Sequence, residues 1–151
     1  MVQTLDHVCI LVKDIDQAIE HYRNILSVCA PEVLKQKIEK YEAFAGEDRY
    51  VSALFPAGGE GCNIQLMQPL NPESRLYQRL QKYGEHIHHL GFTSRQLEKT
   101  LKGLKARKVA LRSEELIFDV NHPELRWNWI TPQYAHGALI EVMDELVRPE
   151  K

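Results

Sequence analysis

The chain has 151 residues, 44% of them hydrophobic and 26% charged, which is the make-up of one ordinary globular domain with enough apolar material for a core. Its 19 basic and 21 acidic residues leave a net charge of −2 with no block of like charge, so neither nucleic acid nor membrane is expected as a partner. No apolar run approaches the ~18 residues that span a bilayer, the first residues hold no signal core, and Cys9, Cys29 and Cys62 form no CxxC pair; a cytoplasmic protein with reduced cysteines is expected.

Residues 6–12 alternate and are rich in β-branched side chains, predicting a strand with His7, Cys9 and Leu11 on one face and Val8, Ile10 and Val12 on the other. Asp14, with Gln17 three residues on, reads as a helix N-cap, and Ile15, Ala18, Ile19, Tyr22 and Leu26 follow at helical spacing. Strands are predicted over Val28 to Ile38, Tyr50 to Pro56 and Cys62 to Gln68, with residues 39–49 as an excursion and Gly58-Gly59-Glu60-Gly61 as a turn. A Pro72-Glu73 start followed by Leu76, Tyr77, Leu80 and Gln81 predicts a connecting helix over residues 71–84.

The pattern then repeats. Adding 82 to His7, Val8, Ile10, Ile15, Ala18, Ile19 and Tyr22 gives His89, Leu90, Phe92, Leu97, Thr100, Leu101 and Leu104, so strand, turn and helix recur in register with every apolar position but one staying apolar. Strands over Val109 to Arg112, Arg126 to Pro132 and Ala138 to Met143 complete the second half, with residues 113–125 as an excursion turned at Asn121 and Pro123. The plan is βαβββ twice, an α+β architecture of module 4–70 and module 86–145 in a single domain, joined by a linker helix over residues 71–84.

Four polar residues fall at matching points of the two halves inside otherwise apolar strands: His7 and His89 in the opening strands, Gln65 and Glu141 in the closing ones. Gln65 lies between Ile64 and Leu66, and Glu141 between Ile140 and Val142, so each faces away from its apolar neighbours. A carboxylate on such a face is costly unless paired or metal-bound. Two imidazoles, one amide and one carboxylate form a donor set for one divalent ion, Co, Mn, Ni, Zn or Fe, in an open site. His21, His86, His88, His122 and His136 lack this symmetric pairing; His88 alternates away from His89, toward the helix layer.

The segments Leu5-Asp6-His7-Val8, Tyr22-Arg23-Asn24-Ile25-Leu26, Ile64-Gln65-Leu66-Met67-Gln68-Pro69, Ile87-His88-His89-Leu90-Gly91-Phe92 and Gly137-Ala138-Leu139-Ile140-Glu141-Val142 resemble the vicinal oxygen chelate superfamily, from Thr4 to Asp144. Within it the chain is most similar to the methylmalonyl-CoA epimerases. The resemblance implies metal ligation by His7, Gln65, His89 and Glu141, and a fold of two βαβββ modules closing into a cupped, incomplete β-barrel. Glyoxalase I relatives usually carry glutamate where Gln65 stands. The resemblance also places a catalytic base ahead of the third strand, at Glu47 or Asp48, with Glu141 acting from the other side. Departures from the family are a missing lysine and glycine in Thr131-Pro132-Gln133-Tyr134-Ala135-His136-Gly137, and the two indoles of Trp127 and Trp129, which line a pocket or pack the core.

The expected activity is divalent-metal-dependent epimerisation or isomerisation by α-proton abstraction, with a metal-stabilised enolate, on a small molecule such as an acyl-CoA thioester. Substrate contacts are expected from Trp127, Trp129 and His136, and a homodimer from apolar surface at Leu54, Phe55, Trp127 and Trp129. The alternatives are a lactoylglutathione lyase of the glyoxalase I type and a metal-free, drug-sequestering protein, which needs no ligating residues on its strands. A ring-cleaving dioxygenase prefers two histidines and one carboxylate, and Gln65 counts against it.

Overall fold

The computed structural model describes residues 5–58 and 61–145. They divide into two compact units, one running Asp6–His88, which holds all of the opening strand but its first residue, and the other comprising Leu5 and the residues from His89 onward. Each repeats the same order of elements, and the class is mixed α+β, as the sequence predicts.

In the first unit β1 (Leu5–Leu11) leads into α1 (Ile15–Cys29), followed by β2 (Glu39–Ala45), β3 (Asp48–Phe55), β4 (Asn63–Pro69) and α2 (Arg75–Tyr83). Asp14 caps α1 as expected, its side chain accepting the Gln17 N–H at 3.0 Å. The strand order is β2-β3-β4-β1, antiparallel except for the parallel β4–β1 pair that the α1 crossover requires. One face of this sheet packs on α1: Val12, Val51, Ala53, Phe55 and Leu66 meet Ile15, Ala18 and Leu26. The other face carries Cys9, Leu11 and Met67, closed at one end by Leu76 and Leu80 of α2. His7 and Gln65 belong to this second face by the alternation of β1 and β4.

The second unit holds β5 (His86–Ser94), whose first residues lie across the division, then α3 (Leu97–Ala106), β6 (Ile117–Phe118), β7 (Arg126–Ile130) and β8 (Ile140–Asp144). The order is β5-β8-β7-β6, again with a parallel pair, β5–β8, after the crossover helix. Leu97 and Leu101 of α3 pack on Val142, with Leu104, Leu111, Leu116 and Ile130 around them. The duplication read in the sequence is present in the strand register: Cys9 stands beside Gln65, and Gly91, 82 residues after Cys9, stands beside Glu141.

Several boundaries differ from the sequence reading. Val28 to Ile38 is not a strand: α1 runs on to Cys29, and Pro31–Lys35 forms a 3-10 turn that Pro31 opens. Val33, Leu34 and Ile38 are apolar because they pack against the α1 core, not because they alternate across a sheet. The strand lies instead in the predicted excursion. β2 runs antiparallel to β3 along its whole length, joined by Gly46 and Glu47, with Gly46 at φ 65° where a glycine is needed. Val109 to Arg112 contributes a single bridge, Leu111 to Ile130, and the next segment is pinned by Asn128, whose buried amide bonds Ser113 at both its N–H and its carbonyl. Phe55 is 1% exposed and lies beside Tyr22 in the first core, so it offers no surface to a second copy. Among the described residues no helix is long and apolar enough to cross a membrane.

Candidate functional site

In the first unit β1 presents His7, which is buried, with Nδ1 2.8 Å from Asp6 Oδ2. A neutral imidazole that donates Nδ1–H to a carboxylate has its tautomer fixed and turns the Nε2 lone pair outward, the arrangement common to metal-binding histidines. The Asp-His dipeptide carries this signal, but Asp6 was not among the residues singled out by sequence. Gln65, on β4, donates its side-chain N–H to Ser52 Oγ at 2.9 Å, which leaves the amide oxygen Oε1 as the end available to a cation. Ser52 too went unread, though a serine within Val51-Ser52-Ala53-Leu54-Phe55 is a polar break in an apolar strand.

In the second unit β5 and β8 bring His89 and Glu141 together. Their side chains are 4% and 14% exposed, and His89 Nε2 lies 3.9 Å from Glu141 Oε2. That is too long for a hydrogen bond and suits two donors sharing one cation, since ligands at about 2.0–2.2 Å from an ion sit roughly 3–4 Å apart. Trp129 pairs with Glu141 across the β7–β8 ladder, and its ring meets that of His89 edge-on with centroids 5.1 Å apart. Trp127, two residues back, shares that face, opposite Val142 and the α3 core. Both indoles are half-buried on the side of the carboxylate. His136 is exposed, with φ 55°, in the turn before β8. His88 is buried.

The two base candidates part company in their bonding. Asp48 spends both carboxylate oxygens on the start of α2, accepting from Arg75 N at 3.2 Å and Leu76 N at 3.3 Å, while Ser74 accepts from Tyr77 N at 3.1 Å. Three of the helix's orphan N–H groups are thus satisfied. Glu47 stands exposed at the tip of the β2–β3 hairpin, with its backbone carbonyl accepting from Asn71 Nδ2 at 3.2 Å.

A family model for the glyoxalase/bleomycin resistance protein/dioxygenase superfamily matches residues 6–120. The chain belongs to this superfamily. Its enzymes commonly use a divalent metal, and the imidazole, amide and carboxylate donors described above suit one. Among solved structures the chain is similar to a methylmalonyl-CoA epimerase from Mycobacterium tuberculosis, with 30% identity, 97% of this chain and 93% of that one covered, and a TM-score of 0.73. A methylmalonyl-CoA epimerase variant from Streptomyces coelicolor, in complex with 2-nitronate-propionyl-CoA, shares the superfamily fold at 20% identity, with 97% and 100% covered and a TM-score of 0.71. A curated relative, the uncharacterised protein YqjC of Bacillus subtilis strain 168, is 27% identical over 140 residues, 93% of this chain and 91% of its own.

Proposed function

We propose that this member of the superfamily is a divalent-metal-dependent epimerase, or a closely related isomerase, that transfers an α-proton of an acyl-CoA thioester. The observation that carries the reading is the neutral amide donor of the first unit, Gln65 with its N–H bound to Ser52; within the second unit the buried His89 and the half-buried Glu141 add an imidazole and a carboxylate. The likeness to the mycobacterial epimerase supports the same choice over a glyoxalase I activity. His7, Gln65, His89 and Glu141 hold the metal, one ion of the Co, Mn, Ni, Zn or Fe class. When bound, it supplies Lewis-acid polarisation of the substrate's carbonyl oxygens, with about one positive charge left after a single carboxylate ligand.

The chain's own residues do the rest. Glu47 takes the α-proton on its carboxylate, because Asp48 is committed to the α2 cap. Inversion needs a proton returned on the opposite face, and Glu141 is the carboxylate assigned to it, its oxygen not used for the metal relaying a proton drawn from solvent while Glu47 gives its proton back to solvent. Trp127 and Trp129 form an apolar wall on the Glu141 side, and His136 contacts the substrate from the turn before β8. The free cysteines fit a cytoplasmic enzyme. The active form is a homodimer, for which the exposed Tyr41 and Phe44 on the edge strand β2 supply apolar surface in place of Phe55.

Incubation of metal-loaded protein with methylmalonyl-CoA in deuterated water, followed by proton NMR, tests this. Loss of the α-proton signal is expected. Turnover of the glutathione hemithioacetal of methylglyoxal, with no exchange on any acyl-CoA, would overturn it in favour of a lactoylglutathione lyase.

A further inference from the structure

β3 sends Val51, Ala53 and Phe55 into the α1 core and turns Ser52 to the face that carries Gln65. Ser52 is 0% exposed, and a buried hydroxyl is unfavourable unless hydrogen-bonded; here it accepts the Gln65 side-chain N–H at 2.9 Å. The oxygen and nitrogen ends of an amide are nearly equal in size, so packing alone does not choose which end meets a cation, whereas hydrogen bonding does. Only the oxygen end has a lone pair to give.

We propose that Ser52 is a positioning residue that fixes the Gln65 amide with Oε1 as the metal donor. The inference rests on the metal centre proposed above. The second unit supports it by contrast. Ser52 pairs with Met67 on β4, and its counterpart Trp127 pairs with Met143 on β8. There the donor is Glu141, whose two carboxylate oxygens are chemically equivalent and need no hydroxyl to select one. The half with an amide donor has the serine, and the half with a carboxylate donor has an indole.

The test is titration of Co(II) into metal-stripped protein, read by its visible absorption, with Tm measured alongside. Ser52→Ala weakens Co(II) binding by about 10- to 100-fold, the size of effect that outer partners of metal ligands exert. In the Gln65→Glu background the same substitution changes affinity by less than about threefold, because either carboxylate oxygen serves, and this coupling separates positioning from packing. Ser52→Cys, similar in size and a weak acceptor, stands in if the alanine variant does not fold, with an intermediate loss expected. Equal losses in the glutamine and glutamate backgrounds would overturn the proposal. So would an unchanged affinity in Ser52→Ala while Gln65→Ala loses binding, an outcome that leaves the metal centre standing. If Gln65→Ala and Glu141→Ala both bind Co(II) as the parent does, the metal centre falls and the role of Ser52 falls with it.

Discussion

Glu141 reaches to 3.9 Å from His89 although it stands beside Gly91 in the β5–β8 ladder, two residues beyond His89. A glycine at the paired position has no side chain to block the carboxylate from leaning back along the strand, whereas in the other half Gln65, beside Cys9, is turned to Ser52 of β3. The His89 ring is met from another side by the near-perpendicular ring of Trp129. Trp129→Ala is therefore expected to lower Co(II) affinity by about tenfold, and Trp129→Phe, which keeps an aromatic ring, by less. Unchanged affinity in Trp129→Ala would show that the indole does not orient the imidazole.

Glu47→Gln is expected to reduce the rate of α-proton exchange by about two orders of magnitude or more while Co(II) affinity is retained. Asp48→Asn keeps an oxygen for the α2 N–H groups and is expected to stay active. The measurement is exchange in deuterated water on both variants, and full activity in Glu47→Gln would remove it as the base.

Asp48→Ala is a stability change by the same geometry. Loss of the bonds to Arg75 N and Leu76 N should cost about 1 kcal/mol, seen as a fall in Tm of roughly 2–4 °C. A thermal melt of Asp48→Ala indistinguishable from the parent would contradict the capping role.

Arg126 joins the start of α3 to β8, donating to Glu98 and, at 2.7 Å, to Asp144 Oδ2. The hydrogen bond from Arg126 holds the Glu98 carboxyl below the usual carboxylate range. A carboxyl whose folded pKa is depressed stabilises the fold above its unfolded pKa and loses that contribution as pH falls through the folded value. Glu98→Gln should therefore have a lower Tm than the parent at pH 7, and the gap should close in acid. Melts at neutral pH and near pH 3 check it; a gap that widens in acid has the wrong sign.

At micromolar concentration the protein is expected to scatter light as a dimer. Tyr41→Lys with Phe44→Lys, which puts charge on the exposed β2 edge, should shift it toward monomer. A parent that is monomeric under those conditions would remove the homodimer.

The doubled plan was legible because duplication leaves two independent copies of one pattern. His7 and His89 stand at matching places in the opening strands and Gln65 and Glu141 in the closing ones, and the ladder positions of Cys9 and Gly91 repeat that equivalence in space. β2 was not legible because an edge strand exposed along most of its length has no apolar alternation; only its pairing with β3 defines it. Val28 to Ile38 misled for the converse reason, since apolar residues in a 3-10 turn serve the core without a period of two. Asp6, Ser52 and the capping role of Asp48 depend on which side chain meets which donor, and single residues of ordinary type carry little of that in sequence.

The most direct test of the metal centre is the metal content and Co(II) affinity of the purified protein beside its His7→Ala, His89→Ala and Glu141→Ala variants. One divalent ion per chain in the parent, with affinity lost by tenfold or more in each variant that still melts cooperatively, is the predicted result. A parent that binds no divalent ion, or variants that bind it as tightly as the parent, would contradict the central claim.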